Sequence, residues 1–575
     1  MRNSFVVISA LLFGITHTAS AAIWFVATNG NDNAVGTTWE TAKQTIQAAI
    51  DAAASNDTVL VSNGVYATGE RANHIPLSNR IVIDKPITVQ SVHGPANTTI
   101  QGAWAVRCAY VGTNATLSGF TLTGANLIYP VDDGLIVGDG AAWCEPTAVI
   151  SNCAITGNNA DAGGGTLGGT LNSCMLISNS AVWGGGAYGA TLTNCTLKDN
   201  GAWEGGGTYE AKLHNCILTG NRAENGGGAY GSTLNNCTLT DNVVNGYNSS
   251  GGGAAVSTLN NCTLIGNSAV DDDGVHVVGG GGASYCNLNN CTLIGNFTVK
   301  VRPGGGYGGG GGVYGGVLNN CTLMGNSADR GGGAAGSPLA HCYLYNCIIY
   351  GNTATNGPNY YSCTISYSCT MPDSGGMGNI TNNPLFVDAT AGNYRLNTNS
   401  PCIDRGANFY AQGATDLDGN PRIMNGGVDM GAYECQEAVA PRFGYWAWAA
   451  GITNGLTNYA DCATGDEYPN LLKYASGSGA TNTDDLARLA DGLSNGLFRV
   501  RFNRNTNAQD VIIVVECSSA ITNCAAWQGV ATNFLGSWGG ATNVEEFGDG
   551  SPVAVAVSEI EPTSNRIFRL RVHRP

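Results

Sequence analysis

Charge is scarce in this 575-residue sequence: only 11% of residues are charged, and 25 Lys and Arg face 41 Asp and Glu, a net charge of −16. Nucleic acid, anionic membranes and acidic polysaccharides are therefore poor targets unless a cation bridges them. Long apolar runs are also missing: after the N-terminal segment, no stretch approaches the roughly 18 uninterrupted apolar residues that a transmembrane helix needs. The sequence predicts neither a nucleic-acid-binding protein nor a transmembrane helix.

The N-terminal segment has the features of an export signal. Met1-Arg2 precedes an apolar run from Phe5 to Ile15, and the small residues Ala19-Ser20-Ala21 precede Ala22. This order is typical of a secretory signal peptide, here residues 1–21. We expect the mature protein to be exported.

From about residue 150 to residue 352, one phrase recurs: Leu, two residues, Cys, one residue, Leu, two residues, Asn. Its cysteines fall 21 residues apart and then continue with longer insertions, at Cys153, Cys174, Cys195, Cys216, Cys237, Cys262, Cys291, Cys321 and Cys347. A fixed period near twenty residues indicates a solenoid. The apolar alternation has period two, and triple glycines separate the phrases, so helical repeats are excluded.

The pattern predicts an all-β fold, a right-handed parallel β-helix, over residues 22–375. Cys174, Leu176 and their equivalents should point inward as ladders. The Asn that closes each phrase suits a corner in the left-handed region, and stacked Asn side chains can hydrogen-bond along the axis. We expect the nine ladder cysteines to be free, since in-register neighbours make poor disulfides; better candidate pairs are Cys402 with Cys435, Cys517 with Cys524 and Cys363 with Cys369.

Three resemblances to known families accompany this pattern. Residues 29–61, with a helix predicted from Thr41 that buries Ile46, Ala49, Ile50 and Ala53, resemble the N-terminal cap of pectin-lyase-like β-helix proteins. That resemblance implies the fold, which hosts lyases, hydrolases, adhesins and stalks. The words Gly185-Gly-Ala-Tyr188 and Gly206-Gly-Thr-Tyr209, each followed by Leu-x-x-Asn, are similar to polymorphic outer membrane protein repeats, which imply surface display and adhesion.

The third resemblance covers residues 376–437. Ser400-Pro-Cys-Ile-Asp404, Asp416-Leu-Asp-Gly-Asn420 and Val428-Asp-Met-Gly-Ala-Tyr-Glu434 resemble the choice-of-anchor Q domain. Together with the repeat resemblance, this implies a secreted bacterial cell-surface protein that is associated with the outer membrane. Beyond it we expect a linker with a short helix over 438–494. Alternating apolar residues predict a small β-sandwich-like domain over 495–575.

Two polar groups are candidates for chemistry. Asp271, Asp272, Asp273 and His276 lie in an expanded repeat and are interpreted as an exposed acidic loop, with catalysis or cation binding as the alternatives. Asp416, Asp418 and Asn420 have the alternating oxygens of a calcium loop, but an Asx-stabilised turn is the favoured interpretation, with calcium as the alternative. Calcium at that loop is the one cofactor that the sequence suggests.

Aromatic residues recur with the period of the repeat. Tyr188, Tyr209 and Tyr230 should form an outward ladder, with Trp183 and Trp203 nearby, that binds sugars or a surface protein. The other interpretation, which the residues alone favour, is that the rings only stabilise the sheet. The favoured function is a non-catalytic display stalk or adhesin with a carbohydrate ligand; the alternative is a polysaccharide lyase or glycoside hydrolase.

Overall fold

The computed structural model describes residues 21–72, 78–127, 140–246, 249–271, 278–300, 308–424 and 426–436, and the backbone of eight strands between residues 490 and 573. The predicted signal peptide up to residue 20 and most of the predicted linker lie outside these residues. The chain forms two compact units. Unit 1 comprises Met1–Thr258, Leu264–Cys286 and Thr298–Tyr307, and unit 2 comprises the rest.

Unit 1 consists of stacked parallel strands, each paired with its equivalent one coil later. The first stack contains Ile23–Val26, Thr58–Val61, Thr88–Ser91, Thr116–Ser118, Val149–Ser151, Thr170–Asn172, Thr191–Thr193, Lys212–His214 and Thr233–Asn235. The second contains Gly64–Tyr66, Thr98–Gln101, Thr121–Thr123, Ala154–Thr156, Met175–Ile177, Thr196–Lys198, Ile217–Thr219 and Thr238–Thr240.

A third stack contains Ser78–Ile83, Arg107–Val111, Ala142–Cys144, Thr166–Leu167, Ala187–Tyr188, Thr208–Tyr209, Ala229–Tyr230 and Ala254–Ala255. Shorter pairings join Asn126–Leu127 to Asn159–Ala160, and link Arg222–Ala223, Val243–Asn245 and Ser268–Asp271. Arg71–Ala72 pairs antiparallel with Ser78–Ile83. Parallel strands joined once per coil, in the right-handed sense that such connections take, confirm the predicted right-handed parallel β-helix.

Leucine and cysteine side chains fill the interior of unit 1. Leu171, Leu192 and Leu213 are paired in register across three coils and have no exposed surface. Cys174 and Cys195 are 1% exposed, and the backbone N of Cys174 donates to Cys195 Sγ at 3.4 Å. The thiols of Cys363, Cys369 and Cys402 are free, so the candidate disulfides Cys402–Cys435 and Cys363–Cys369 are not formed, and the prediction of these two pairs was wrong. The thiol ladder therefore behaves as a column of small core side chains, as predicted.

The closing asparagines form a buried amide ladder. Asn200 Nδ2 donates to Asn221 Oδ1 at 3.0 Å, and Asn221 Nδ2 donates to Asn242 Oδ1 at 2.9 Å. The left-handed backbone predicted for these residues was wrong: the positive φ lies one residue earlier, at Asp199 (φ 54°) and Asp241 (φ 54°). The reason is that the amide must point inward to reach its neighbours, so the preceding residue makes the bend.

The triple glycines lie where two coils approach each other closely. A Cβ placed on Gly206 would lie 2.4 Å from the carbonyl oxygen of Arg222 and 2.5 Å from that of Gly227. No other residue type has room at this position. The glycines thus permit the third stack to pack against its neighbours.

A short helix, Ile46–Ala52, packs against Ile23–Val26, Thr58–Val61 and Ser78–Ile83. It buries Ile46, Ala49 and Ile50 as predicted. Its N-cap is Thr45, whose Oγ1 accepts from Ala48 N at 3.3 Å, and not the predicted Thr41. Asp32 Oδ1 accepts the backbone N–H of Gln44 and Thr45 at 2.8 Å each, and so the helix begins later.

Unit 2 repeats the same architecture. One stack contains Thr292–Ile294, Thr322–Met324, Ile348–Tyr350 and Cys369–Thr370. Val313–Asn319 pairs with Ala334–Ala335 and with Cys342–Tyr345, which pair in turn with Tyr360–Tyr361 and Thr364–Ser366. Ser327–Arg330 pairs with Gly308–Gly309, with Thr353–Asn356 and with Phe297, the one residue of the strand Phe297–Lys300 that belongs to unit 2. Val278–Gly279 belongs to unit 1, and the strands Thr258–Asn260, Thr263–Ile265 and Ala283–Asn289 each contain residues assigned to both units. The cysteine ladder continues from Cys291 to Cys321 and Cys347, all buried.

The segment predicted to close the helix packs onto the last coils of unit 2. It contains an antiparallel pair, Phe386–Asp388 with Asn393–Leu396, and a 3-10 turn, Asn408–Tyr410. Cys402, Ile403 and Met430 join Ile348 and Cys369 in one buried cluster. Apolar contact therefore covers the interior of the last coils.

The C-terminal strands form two four-stranded antiparallel sheets. The first contains Ala490–Ser494, Leu497–Arg504, Val553–Ser558 and Asn543–Phe547, and the second Ser537–Gly540, Gln528–Phe534, Ile512–Ser518 and Ile567–His573. The first strand begins at Ala490, within the segment predicted as linker. The domain boundaries derived from the sequence remain predictions.

Candidate functional site: an outward aromatic row

The tyrosines of the repeat form a stacked ladder on the third stack of unit 1. Tyr188, Tyr209 and Tyr230 are partners in register, and each follows a fully buried Ala187, Thr208 or Ala229. Because neighbouring strand residues face opposite sides, the rings face outward, where they are half-buried. The ring centroids are 5.1 Å apart between Tyr188 and Tyr209 and 5.3 Å apart between Tyr209 and Tyr230.

Three further bulky side chains extend the ladder toward the N-terminal coils. Leu167 pairs in register with Tyr188, Trp143 with Leu167, and Tyr110 with Trp143. The rings of Tyr110 and Trp143 meet edge to face at 5.3 Å. Sequence reasoning missed these residues because their coils lack the Gly-Gly-Ala-Tyr word, and only the register aligns them. We call the set the outer row: Tyr110, Trp143, Leu167, Tyr188, Tyr209 and Tyr230.

Ring orientation determines what the ladder presents to a ligand. The planes of Tyr188 and Tyr209 differ by 9° and those of Tyr209 and Tyr230 by 11°, so the rings stack face to face. Their inner faces are covered by each other, and the outward surface consists of ring edges and phenolic hydroxyls, once per coil. The ladder therefore offers a regular row of hydrogen-bonding groups more than a set of open aromatic faces.

Two carboxylates flank the ladder. Burial raises the pKa of Tyr209 to about 12, together with the negative charges of Glu210 and Glu204. Glu204 is itself half-buried, and burial raises its pKa above the ordinary value. The phenols of the ladder are consequently neutral at physiological pH and remain hydrogen-bond donors.

The two predicted tryptophans lie in the turn that precedes the ladder strands. Trp183 forms a parallel bridge with Glu204 of the next coil, and so belongs to the column of residues next to the tyrosines. Trp183 is half-buried, whereas Trp203 is 60% exposed. Trp203 therefore supplies an open indole face of the kind that stacks on a ligand.

Unit 2 carries a second aromatic group that the sequence analysis did not identify. Tyr343 and Tyr345 alternate on one strand with centroids 6.5 Å apart, and Tyr345 stacks on Tyr410 of the closing segment at 3.9 Å. Phe409, which is 69% exposed, contacts Tyr410 at 4.3 Å. These residues lie in segments far apart in the sequence, so the repeat period does not predict that they meet.

The predicted calcium-loop residues have other partners. Asp416 is fully buried; its Oδ1 accepts from the backbone N of Asp418 at 3.0 Å and Asn420 at 2.8 Å, and its Oδ2 accepts from Glu434 N at 2.9 Å. Asp418 forms an ion pair with Arg395, whose Nε donates at 2.6 Å. This is the geometry of an Asx-stabilised turn, the interpretation favoured above, and both carboxylates have hydrogen-bond partners.

A different acidic group lies beside that turn. Carboxylate oxygens of Asp404, Asp429 and Glu434 lie within 4.8 Å of one another, and Asp429 and Glu434 are buried. Asp429 accepts from the backbone N of Asp404 and of Cys435, at 2.7 Å each. The Nη2 of the buried Arg422 donates to the carbonyl oxygens of Asp429 at 2.9 Å and Gly431 at 2.7 Å. These contacts describe an internal network that fixes the closing segment.

The catalytic candidates are only partly placed. Asp272, Asp273 and His276 lie outside the described residues, and Asp271 ends the strand Ser268–Asp271. His214 and His341 are exposed and border the buried Leu213 and Cys342, as expected for residues that face solvent.

Within the ranges that the structure describes, no helix has the length and apolar character needed to cross a membrane.

Comparisons with known proteins concern the fold. No family model and no curated protein matches the chain. Among solved structures it is similar to the pectate lyase Pel9A (13% identity, covering 72% of this chain and 97% of that one, TM-score 0.32) and to XylC in complex with xylose (11%, 72% and 99%, TM-score 0.33). It is also similar to the pectin methylesterase PemA from Erwinia chrysanthemi (11%, 66% and 96%, TM-score 0.20). Similarity at this level does not extend to the activities of those proteins.

Proposed function

We propose that the protein is a non-catalytic, carbohydrate-binding β-helix displayed at the bacterial cell surface, and that the outer row with Trp203 is its contact surface. The observation that carries the proposal is the row itself: six coils in succession place a bulky side chain at the same register position, and five of these side chains, all but the buried Tyr110, are partly exposed. An extended polymer that lies along the row meets a similar group once per coil. Repetition of weak contacts of this kind suits a repetitive ligand.

The flanking charges favour a neutral polysaccharide. Glu204 and Glu210 lie beside the ladder, and the whole chain carries a net charge of −16. A uronate polymer would bring like charge to this surface, which weakens association at low ionic strength. Neutral glycans, by contrast, accept hydrogen bonds from the neutral phenols and stack on the indole of Trp203.

Binding is tested by affinity electrophoresis of the purified protein through gels that contain neutral or acidic polysaccharides. Two variants are compared with wild type: the triple variant Tyr188→Ser/Tyr209→Ser/Tyr230→Ser and W203A. In a neutral polysaccharide, each should raise the dissociation constant derived from the retardation about tenfold. The matched control is W104A, because Trp104 is 62% exposed in the same unit but lies off the row. Circular dichroism establishes that all variants keep their β structure.

Equal retardation of W203A, the triple variant and wild type in every gel would contradict the proposed contact surface. Reducing ends are measured in the same samples over time. Release that increases with incubation would identify a polysaccharide lyase or glycoside hydrolase and overturn the non-catalytic assignment. Display is tested separately, by protease accessibility of the protein on intact cells.

A further inference from the structure

The start of the first strand is held by one buried carboxylate. The backbone N of Ala22 donates to Asp57 Oδ1 at 2.7 Å, and Asp57 is 6% exposed. Asp57 Oδ2 accepts from Trp24 Nε1 at 2.9 Å and from Ala54 N at 2.8 Å. The carbonyl oxygen of Ala22 in turn accepts from Thr58 N at 2.9 Å. Ala22 is therefore fixed at both its nitrogen and its oxygen.

In the uncleaved chain, Asp57 brings a negative charge to this site, and none of the groups that donate to it is positively charged. The three groups that donate to Asp57 are neutral, and the nearby cation whose field acts on it is Lys85. Lys85 Nζ itself donates to the carbonyl oxygens of Ile50, Asp51 and Ala53. A buried carboxylate gains most from a partner that carries a positive charge.

The bond before Ala22 is accessible. Ala21 and Ala22 are both exposed, and Ala19-Ser20-Ala21 has the small residues that precede a signal-peptide cleavage point. Because Ala22 N already lies on Asp57, a cut at this position would release a charged group directly onto the carboxylate.

We propose that hydrolysis of the Ala21–Ala22 peptide bond creates an α-ammonium at Ala22 that pairs with Asp57. Water adds across the amide: the carboxylate remains on Ala21 with the released peptide, and the nitrogen of Ala22 takes up protons to become an ammonium. The neutral N–H bond to Asp57 thereby becomes a charge-assisted one. Cleavage of the predicted signal peptide thus adds a charge-assisted hydrogen bond to the first coil. The strand Ile23–Val26 is therefore held more firmly in the exported form than in the precursor.

The pH range of this pair follows from its two members. Hydrogen bonds from Trp24, then Ala54 and Ala22, hold the pKa of Asp57 below its ordinary value. An unpaired α-amine has a pKa of about 7.7 to 8.0, and an adjacent carboxylate raises it. The ammonium's contribution to stability is present below that unpaired value and is lost as the pH rises through the raised one. The carboxylate's contribution is present above its ordinary pKa and is lost as the pH falls through the lowered one.

The first measurement is the N-terminus of the full chain after export, by mass spectrometry of its N-terminal peptide. The second is the pKa of the α-amine, from the pH dependence of its reaction with cyanate. Three forms are compared: the chain beginning at Ala22, the same chain with D57N, and a chain that retains Ala19-Ser20-Ala21. We expect the chain beginning at Ala22 to have an α-amine pKa about one unit above that of the extended chain, and D57N to abolish the difference.

Hydrogen exchange of Ile23–Val26 at pH 6.5 provides an independent readout, and it should be slower in the chain beginning at Ala22 than in the extended chain. If D57N fails to fold, the chain beginning at Ala22 is still compared with the extended chain. Both contain Asp57, so this comparison tests the proposal without the variant. An exported protein that begins elsewhere, or the same amine pKa in the extended chain and the chain beginning at Ala22, would overturn the proposal.

Discussion

Asn200 and Asn221 lie one coil apart, and the side-chain amide nitrogen of the first donates to the side-chain oxygen of the second at 3.0 Å. Asn200 also donates to Leu176 O at 2.9 Å, and its Oδ1 accepts from Asn179 N and Asn179 Nδ2 at 3.0 Å each. One buried amide thus satisfies four polar partners on two sides. This network ties each coil to its neighbours independently of the strand pairing.

The first prediction concerns this ladder. Asn200→Ala should lower the free energy of unfolding by about 2 to 4 kcal/mol, because it removes the buried side-chain hydrogen bonds to Leu176, Asn179 and Asn221. Urea unfolding followed by far-ultraviolet circular dichroism measures the change. The control is T193A, since Thr193 lies on the same coil but faces outward; equal midpoints for the two variants would contradict a structural role for the amide.

The second prediction concerns the glycine turns. Gly206→Ala should destabilise the fold by about 2 to 4 kcal/mol, because a Cβ has no room between two backbone carbonyls. Gly201, five residues earlier, has open space around its Cα, with no atom within 4 Å of the position that a Cβ would take. Gly201→Ala should therefore leave the urea midpoint almost unchanged, and a similar loss in both variants would show that close coil contact is not the cause.

The third prediction concerns the thiols. Burial makes Cys195 inaccessible, whereas Cys363 is half-buried. In the native protein iodoacetamide should modify Cys363 well before Cys195, and in guanidinium chloride both should react quickly. Peptide mass spectrometry after timed labelling gives the two rates. Fast native labelling of Cys195 would contradict the buried thiol ladder.

The fourth prediction concerns pH. Burial, and after it the charge of Asp429, raises the pKa of Glu434 to about 10. A carboxyl group with a raised folded-state pKa contributes stability that is fully present below its ordinary value near 4.5 and is lost as the pH rises toward the folded value. The free energy of unfolding should therefore fall between pH 5 and pH 9, and E434Q should make this slope shallower.

Urea midpoints of wild type and E434Q at several pH values measure that slope. The matched control is E210Q, which removes an exposed carboxylate from the outer face of unit 1. An unchanged slope in E434Q would show that Glu434 is ionised in the folded protein at neutral pH.

Much of the architecture was readable from the repeat. Cys174, Leu176 and Tyr188 recur every 21 residues, and alternation along a strand then decides which of them face inward. Prediction from the repeat was wrong for the closing asparagine, which could serve either in the bend or in the core. Asn200 was assigned to the bend itself, but Asp199 adopts the left-handed conformation because the amide is required in the core.

By itself, the sequence determined the parallel β-helix, its thiol and leucine ladders and the tyrosine ladder, because each depends on one local phrase repeated at a constant period. Only the tertiary structure decided the partners that have no period. It aligned Tyr110 and Trp143 with the tyrosines, paired Tyr345 with Tyr410, and placed Ala22 on Asp57. Such contacts depend on coil lengths and on the path of the connecting segments, and no spacing in the sequence encodes those distances.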